Sequence, residues 1–182
     1  MKKNLKVFFG SILILILFRG FIFRSTIHYQ PIGIRPAIEL TNRTLIEKIE
    51  TTASNEVVDL KSIANIAIKL TSELLKFSTK QTSNNPNELM YSQNANCVGY
   101  SAMYTSIANH LIEKYNLQNE ISAEHKIGQL ELLGFNLHRY FDDPFFKDHD
   151  FNVLTNRSTG EQIVIDPSVS DYLWIHRVSQ KE

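Results

Sequence analysis

The chain has 182 residues, 43% of them hydrophobic, with 19 basic and 19 acidic side chains and a formal net charge of zero. That composition is globular, long enough for one domain with a real core but not comfortably for two, and its charge balance removes the electrostatic case for nucleic acid as partner. A single cysteine excludes an intrachain disulfide and a structural zinc site of the multi-cysteine kind.

In chain order, Lys2, Lys3 and Lys6 precede an apolar run from Val7 to Phe18. Arg19 interrupts it, and Gly20 to Phe23 continues it to Arg24. A basic start followed by an apolar stretch fits an export signal. A spanning helix needs ~20 apolar residues, which this run reaches if Arg19 snorkels to the interface. Bulky and basic residues follow where a small-residue cleavage site would stand. The expectation is therefore a signal anchor over 1–24, with the domain outside the cytoplasm, periplasmic or at the cell surface.

Residues 25–40 carry Pro31, Gly33 and Pro36 without sustained periodicity and read as an extended linker. The domain is expected over 41–182. Thr44 with Glu47 has the spacing of a capping box, opening a short helix through Leu45, Ile46 and Ile49. Leu60, Ile63, Ala67, Leu70 and Leu74 recur at three- and four-residue steps and predict a longer amphipathic helix. Residues 78–88 are polar and predict a loop. A third helix is expected from Cys97 to Tyr115. Beyond it, Ile121–Ile127, Leu130–Tyr140, His149–Leu154 and Gln162–Asp166 are short β-forming segments separated by turn residues. Helices first and strands later predict an α+β fold with a mainly antiparallel sheet.

The chemistry concentrates at two places. Asn96 is a favoured N-cap, which sets Cys97 in the first turn of the third helix, where the helix dipole favours thiolate. Gly99, costly inside a helix by ~1 kcal/mol relative to Ala, predicts close approach of a neighbour to the backbone there. Further on, the segments from His149 and up to Asp166 read as a hairpin. If it is symmetric about Arg157 and Ser158, His149 lies opposite Asp166, with Cβ atoms ~5 Å apart on one face. A one-residue slip would put the two on opposite faces. Cys97 as nucleophile, His149 as proton carrier and Asp166 as the group that orients the imidazole form a thiol acyl-transfer set.

Three motifs carry a resemblance: Asn96-Cys97-Val98-Gly99-Tyr100-Ser101 at a helix start, His149 opening a strand with an aromatic two residues on, and Val164-Ile165-Asp166-Pro167 ending the next strand. In order and spacing they are similar to the motifs of the transglutaminase-like superfamily, over roughly Met90 to Val169. The resemblance implies a papain-like core, with the cysteine helix packed on an antiparallel sheet that supplies His149 and Asp166. It also implies action on peptide amides, as a peptidase or amidase rather than a cross-linking enzyme. The chain departs from the family in carrying Phe151 where a Trp is common. Oxyanion stabilisation needs the Cys97 backbone N–H plus a second donor, for which Gln93, Asn94 and Tyr91 are the nearest candidates, with nothing in the sequence selecting among them.

The alternative is a non-catalytic domain of the same kind, serving as a binding or assembly module in a membrane-associated complex. A peptide or protein substrate and the membrane are the expected partners, with no cofactor and no metal. Asp142, Asp143, Asp148 and Asp150 around His149 lack the EF-hand pattern and read as solvated turn residues. His110, His125, His138 and His176 show no partner pattern, with His138 the competitor for the role of base. Trp174 reads as a packing residue. Asn42 and Asn156 stand in short glycosylation-like sequons that occur often by chance.

Overall fold

The computed structural model describes residues 10, 12–54, 58–80 and 82–181. Its fold is α+β. The elements are α1 (Arg19–Thr26), β1 (Ile27–Arg35), α2 (Arg43–Ala53), α3 (Leu60–Leu74), β2 (Lys76–Phe77), α4 (Pro86–Ser92), β3 (Asn94–Ala95) and α5 (Cys97–Lys114). They continue with β4 (Ile121–Leu132), β5 (Phe135–Asn136), two 3-10 turns (Leu137–Tyr140 and Pro144–Phe146), β6 (His149–Asn156), β7 (Gln162–Ile165), α6 (Pro167–Leu173) and β8 (Ser179–Gln180).

The main sheet runs β7-β6-β4-β1-β8, antiparallel except between β1 and β8, with β5 paired to β4. Leu154, Ile163 and Ile165 on one face join Leu45 and Ile49 of α2, Ile63 and Leu70 of α3, and Met103 and Ile107 of α5 in the larger core. Tyr29, Phe151, Val153 and Val178 form a smaller core. The alternation within β6 explains the split, since Phe151 and Val153 point one way and Asn152 and Leu154 the other. α5 is buried on nearly all sides from Cys97 to Ile112, so it shows no single apolar stripe. It is the central helix of the domain.

Several expectations change here. Residues 25–40 are not a linker: β1 lies between β4 and β8, and Tyr29 is fully buried. Pro31 and Gly33 mark a register shift within the strand, where an irregular ladder tolerates the missing amide of proline. α2 is capped by Asn42, whose side chain accepts from the Leu45 amide, two residues before the expected Thr44. The stretch expected as a loop over 78–88 gives way to α4 at Pro86, with Asn85 as its cap. Gly128 does not end a strand. β4 passes straight through it, and the Phe151 ring lies so close that a Cβ there would sit 2.6 Å from it. The actual turn is at Leu133 and Gly134, both with positive φ.

Ahead of β1, residues 12–17 are helical. Among the described residues, no helix is long and apolar enough to cross a membrane. Residues 1–9 and 11 of the expected anchor lie outside the described residues.

Candidate active site

Cys97 opens α5. The Asn96 side chain accepts from the Gly99 amide at 3.2 Å, the capping arrangement expected from the sequence. Gly99 is there for the expected steric reason, because an added Cβ would lie 2.8 Å from the Ala95 Cβ and 3.2 Å from Leu89. β3 and α4 thus press against the first turn and fix the position of Cys97, which is 7% exposed. Among the described residues, the Cys97 and Val98 amides have no intrachain partner, as first-turn amides commonly do.

His149 begins β6, and its Nε2–H donates to Asp166 Oδ2 at 2.5 Å. The expected register is corrected in detail. Asn152 pairs with Ile165 and Thr155 with Gln162, so Asp166 continues the ladder opposite Phe151 rather than His149. This register is displaced by two residues, an even number. Parity is kept, His149 and Asp166 stay on one face, and the pair closes along a diagonal.

Asp166 is fully buried and fully partnered. Its Oδ1 accepts from the amides of Ser168 and Val169 and from Ser168 Oγ, and its Oδ2 accepts from His149 and from the Tyr29 hydroxyl at 2.7 Å. It is also the N-cap of α6, with Pro167 at the first helical position, a place proline suits because no amide is needed there. Pro167 therefore opens a helix as well as ending a strand. Burial alone would raise the Asp166 pKa; the His149 charge and hydrogen bond, followed by those of Ser168 and Val169, hold it below the ordinary carboxylate range. Burial likewise pulls His149 down, but the Asp166 charge and hydrogen bond, with a smaller contribution from Cys97, push it well above the ordinary imidazole value. Because Nε2 is engaged by Asp166, Nδ1 is the nitrogen left for the thiol.

Tyr29 completes this arrangement from β1. Its ring meets those of His149 and Phe151 edge-on, at centroid distances of 5.9 and 5.1 Å. Burial and then the neighbouring Asp166 carboxylate raise its own pKa well above 10.0, so it serves as a donor. A second brace links helix to strand, since Asn152 Nδ2 donates to the Ser101 carbonyl at 3.0 Å and to Thr105 Oγ1. The helix that carries Cys97 and the strand that carries His149 are thereby held in one relative position.

Cys97 and His149 line one apolar cavity of about 240 Å³, together with Phe77, Leu130, Leu137 and Phe146 among others. A larger open cleft lined by Asn109, Glu113, Arg157 and Gln162 lies further along α5 and contains neither residue. The nominated oxyanion side chains do not line the Cys97 cavity. Tyr91 is exposed, Gln93 caps α4 in a left-handed conformation, and Asn94 Nδ2 donates to the Ser92 carbonyl.

Other polar residues also find partners that sequence reading missed. Asp150 is not a solvated turn residue. It is fully buried, accepts from Arg35 Nε at 2.5 Å and pairs with His125 Nε2 at 2.6 Å. Burial would raise its pKa, and the bonds from His125 and Arg35 lower it below the ordinary range. His110 meets Glu50 at 3.2 Å, and His176 meets Ser170 at 3.0 Å. Trp174 is exposed rather than packed, beneath the Arg19 guanidinium at 5.8 Å. Strand alternation alone could have flagged Tyr29, an aromatic between His28 and Gln30, had residues 25–40 been read as a strand. The partners of Asp150 lie too far away in the chain for any local signal.

With known proteins the chain shows no match: no family model, no curated protein and no solved structure is similar to it at a significant level.

Proposed function

We propose that the chain is a membrane-associated thiol enzyme that acts on peptide amide bonds through an acyl-enzyme, with a papain-like or transglutaminase-like site formed by Cys97, His149 and Asp166. The observation that carries this reading is the His149–Asp166 hydrogen bond of 2.5 Å beside a thiol that lines the same cavity as the imidazole. An imidazole with one nitrogen fixed by a carboxylate and the other turned to a nucleophile is the working unit of covalent acyl transfer.

In this reading the Cys97 proton already rests on His149, whose raised pKa favours the imidazolium, and the thiolate sulfur attacks the carbonyl carbon. The C–N bond then breaks, and His149 returns the proton to the departing amine. The thioester that remains is resolved by water, giving an acid, or by a second amine, giving a new amide. Asp166 stays ionised throughout and stabilises the imidazolium formed at each stage. The free first-turn amides of Cys97 and Val98 are suited to receive the oxyanion. The Cys97 amide is the first donor expected from the sequence, and in this reading the Val98 amide serves as the second in place of Gln93, Asn94 or Tyr91.

Membrane association rests on the other end of the molecule. Leu13, Leu17 and Phe21 expose large apolar side chains along the helical N-terminal region. Arg19 donates to the Leu173 and Trp174 carbonyls and so ties that region to the domain.

The test is thiol labelling of the full chain. Iodoacetamide should modify Cys97 faster than an unactivated thiol, and His149→Ala should remove the excess. Equal rates in the two proteins would leave Cys97 an ordinary buried cysteine and reject the enzyme.

A further inference from the structure

Among the described residues, the domain covers no face of the apolar run ahead of α1. Residues 13–18 each expose more than half of an apolar side chain, although successive residues of a helix point in different directions. A helix that is apolar all round belongs in a protein core or a bilayer, and no core receives this one. Two contacts fix its foot on the domain. Arg19 donates to the Leu173 and Trp174 carbonyls, and Ser179 Oγ donates to the Arg24 carbonyl at 3.0 Å.

Between that foot and the loop after α6 lies an open pocket of about 350 Å³, which shares no lining residue with the Cys97 cavity. Arg19 and Arg24 line it, with Leu17, Phe18, Phe21 and Trp174 beside them. The Arg24 guanidinium lies back along the helix, since a Cβ on Gly20 would meet its Nη1 at 3.3 Å, and Gly20 is part of the same lining. The Arg19 guanidinium gives three of its five N–H groups to carbonyls and lies over the Trp174 ring. Carbonyl dipoles do not cancel a charge. Among the described residues no carboxylate lines the pocket, and neither arginine is paired with one. His176 and Arg177, on the wall formed by the loop after α6, likewise have no carboxylate partner among the described residues.

Uncompensated guanidinium groups beside exposed apolar side chains match an amphiphile with an anionic head. Arginine presents paired planar donors that fit a phosphate. Tryptophan settles at the headgroup level of a bilayer, and basic residues next to a membrane segment attract anionic lipid. We infer that this pocket holds the phosphate of an anionic phospholipid, with Arg19 and Arg24 on the headgroup and Leu17 and Phe21 against the acyl chains. The inference rests on the membrane half of the reading above and adds the lipid class to it. It does not depend on the chemistry of Cys97.

Trp174 is the only tryptophan of the chain and lines the pocket, so its fluorescence reports on the site. The full chain is reconstituted in phosphatidylcholine vesicles that carry equal small fractions of either phosphatidylglycerol or phosphatidylcholine brominated on the acyl chains. Quenching of Trp174 then gives the relative association of the two lipids. The anionic lipid should associate more strongly, by a factor of about five for each arginine it engages. Arg24→Gln should lose one such factor. Arg43→Gln, which removes the same charge from an exposed position at the start of α2, should keep the full ratio. Equal quenching by the two lipids overturns the headgroup site and leaves membrane association standing, whereas no quenching by either rejects both. An equal fall in the two variants would mark diffuse attraction and overturn the site. Loss of the preference in inorganic phosphate, but not in sodium chloride of the same ionic strength, would assign the pocket to soluble phosphate and overturn the lipid. The lipid comparison needs no variant, so misfolding of Arg24→Gln leaves it decisive.

Discussion

Asp166 shows why a buried carboxylate can remain ionised. Five donors reach its two oxygens, from Tyr29, His149, the Ser168 amide and hydroxyl, and the Val169 amide, and together they offset the cost of removing the charge from water. Asp166→Asn would keep the shape while losing the charge that stabilises the imidazolium and fixes its tautomer. On the proposed thiol-enzyme reading, turnover of a peptide amide by this variant should fall by about three to four orders of magnitude, measured as kcat/KM against the unaltered protein. The linked pH effect has a definite sign. The His149 pKa is raised in the fold, so its stabilisation is complete below about pH 6.5 and declines as pH rises through the folded value. The Asp166 pKa is lowered, so its stabilisation is complete above about pH 4 and declines as pH falls through the folded value. Urea unfolding midpoints should therefore form a plateau between about pH 4 and 6.5, and Asp166→Asn should flatten both shoulders. Shoulders of unchanged depth in the variant would show that other groups set the profile.

At the scale of elements, two glycines set the approach of one segment to another. Helix propensity alone favours Ala at position 99 by about 1 kcal/mol. The contact at 2.8 Å with the Ala95 Cβ outweighs it, because Ala95 has no flexible end to move aside. Gly99→Ala should thus destabilise by about 1–3 kcal/mol, the usual scale of overpacking. Gly128→Ala should do the same through β4, where the added methyl would press on the buried Phe151 ring and come within 3.3 Å of the Gln30 carbonyl. Phe151 meets Tyr29 edge-on, and Tyr29 braces Asp166, so this second variant should also slow Cys97 labelling. Thermal melts followed by circular dichroism, with labelling rates on the folded variants, check both. A melting temperature unchanged or raised in either would contradict the close packing. At this scale the sequence was legible in part. The stripe from Leu60 to Leu74 gave α3, and Asn96 gave the start of α5. Gly128 misled, because a glycine under an aromatic ring and a glycine in a turn look alike in one dimension.

At the scale of the molecule, β1 is what the sequence reading placed outside the domain and the fold places inside it. It supplies Tyr29 to Asp166 and Arg35 to Asp150, and it bridges β4 and β8. A chain shortened to begin at residue 27 should keep a cooperative unfolding transition. One shortened to begin at residue 36 should lose it, since a sheet cut beside β4 leaves Asp166 and Asp150 short of donors and the smaller core open. A cooperative melt from the second chain would show that β1 is dispensable.

The sequence by itself determined the local facts: a capped helix start at Cys97, the steric need for Gly99, the amphipathic helix from Leu60, and a two-residue periodicity that put His149 and Asp166 on one face whatever even register the hairpin took. Only the tertiary structure decided which register that was. It also decided that Tyr29 and Asn152 brace the pair, and that His125, Asp150 and Arg35 belong together. Neighbours along the chain interact through fixed spacings, and these can be read from one strand of letters. Donors to a buried carboxylate come from wherever packing brings them, more than a hundred residues away for Tyr29 and Asp166, and no local pattern encodes that meeting.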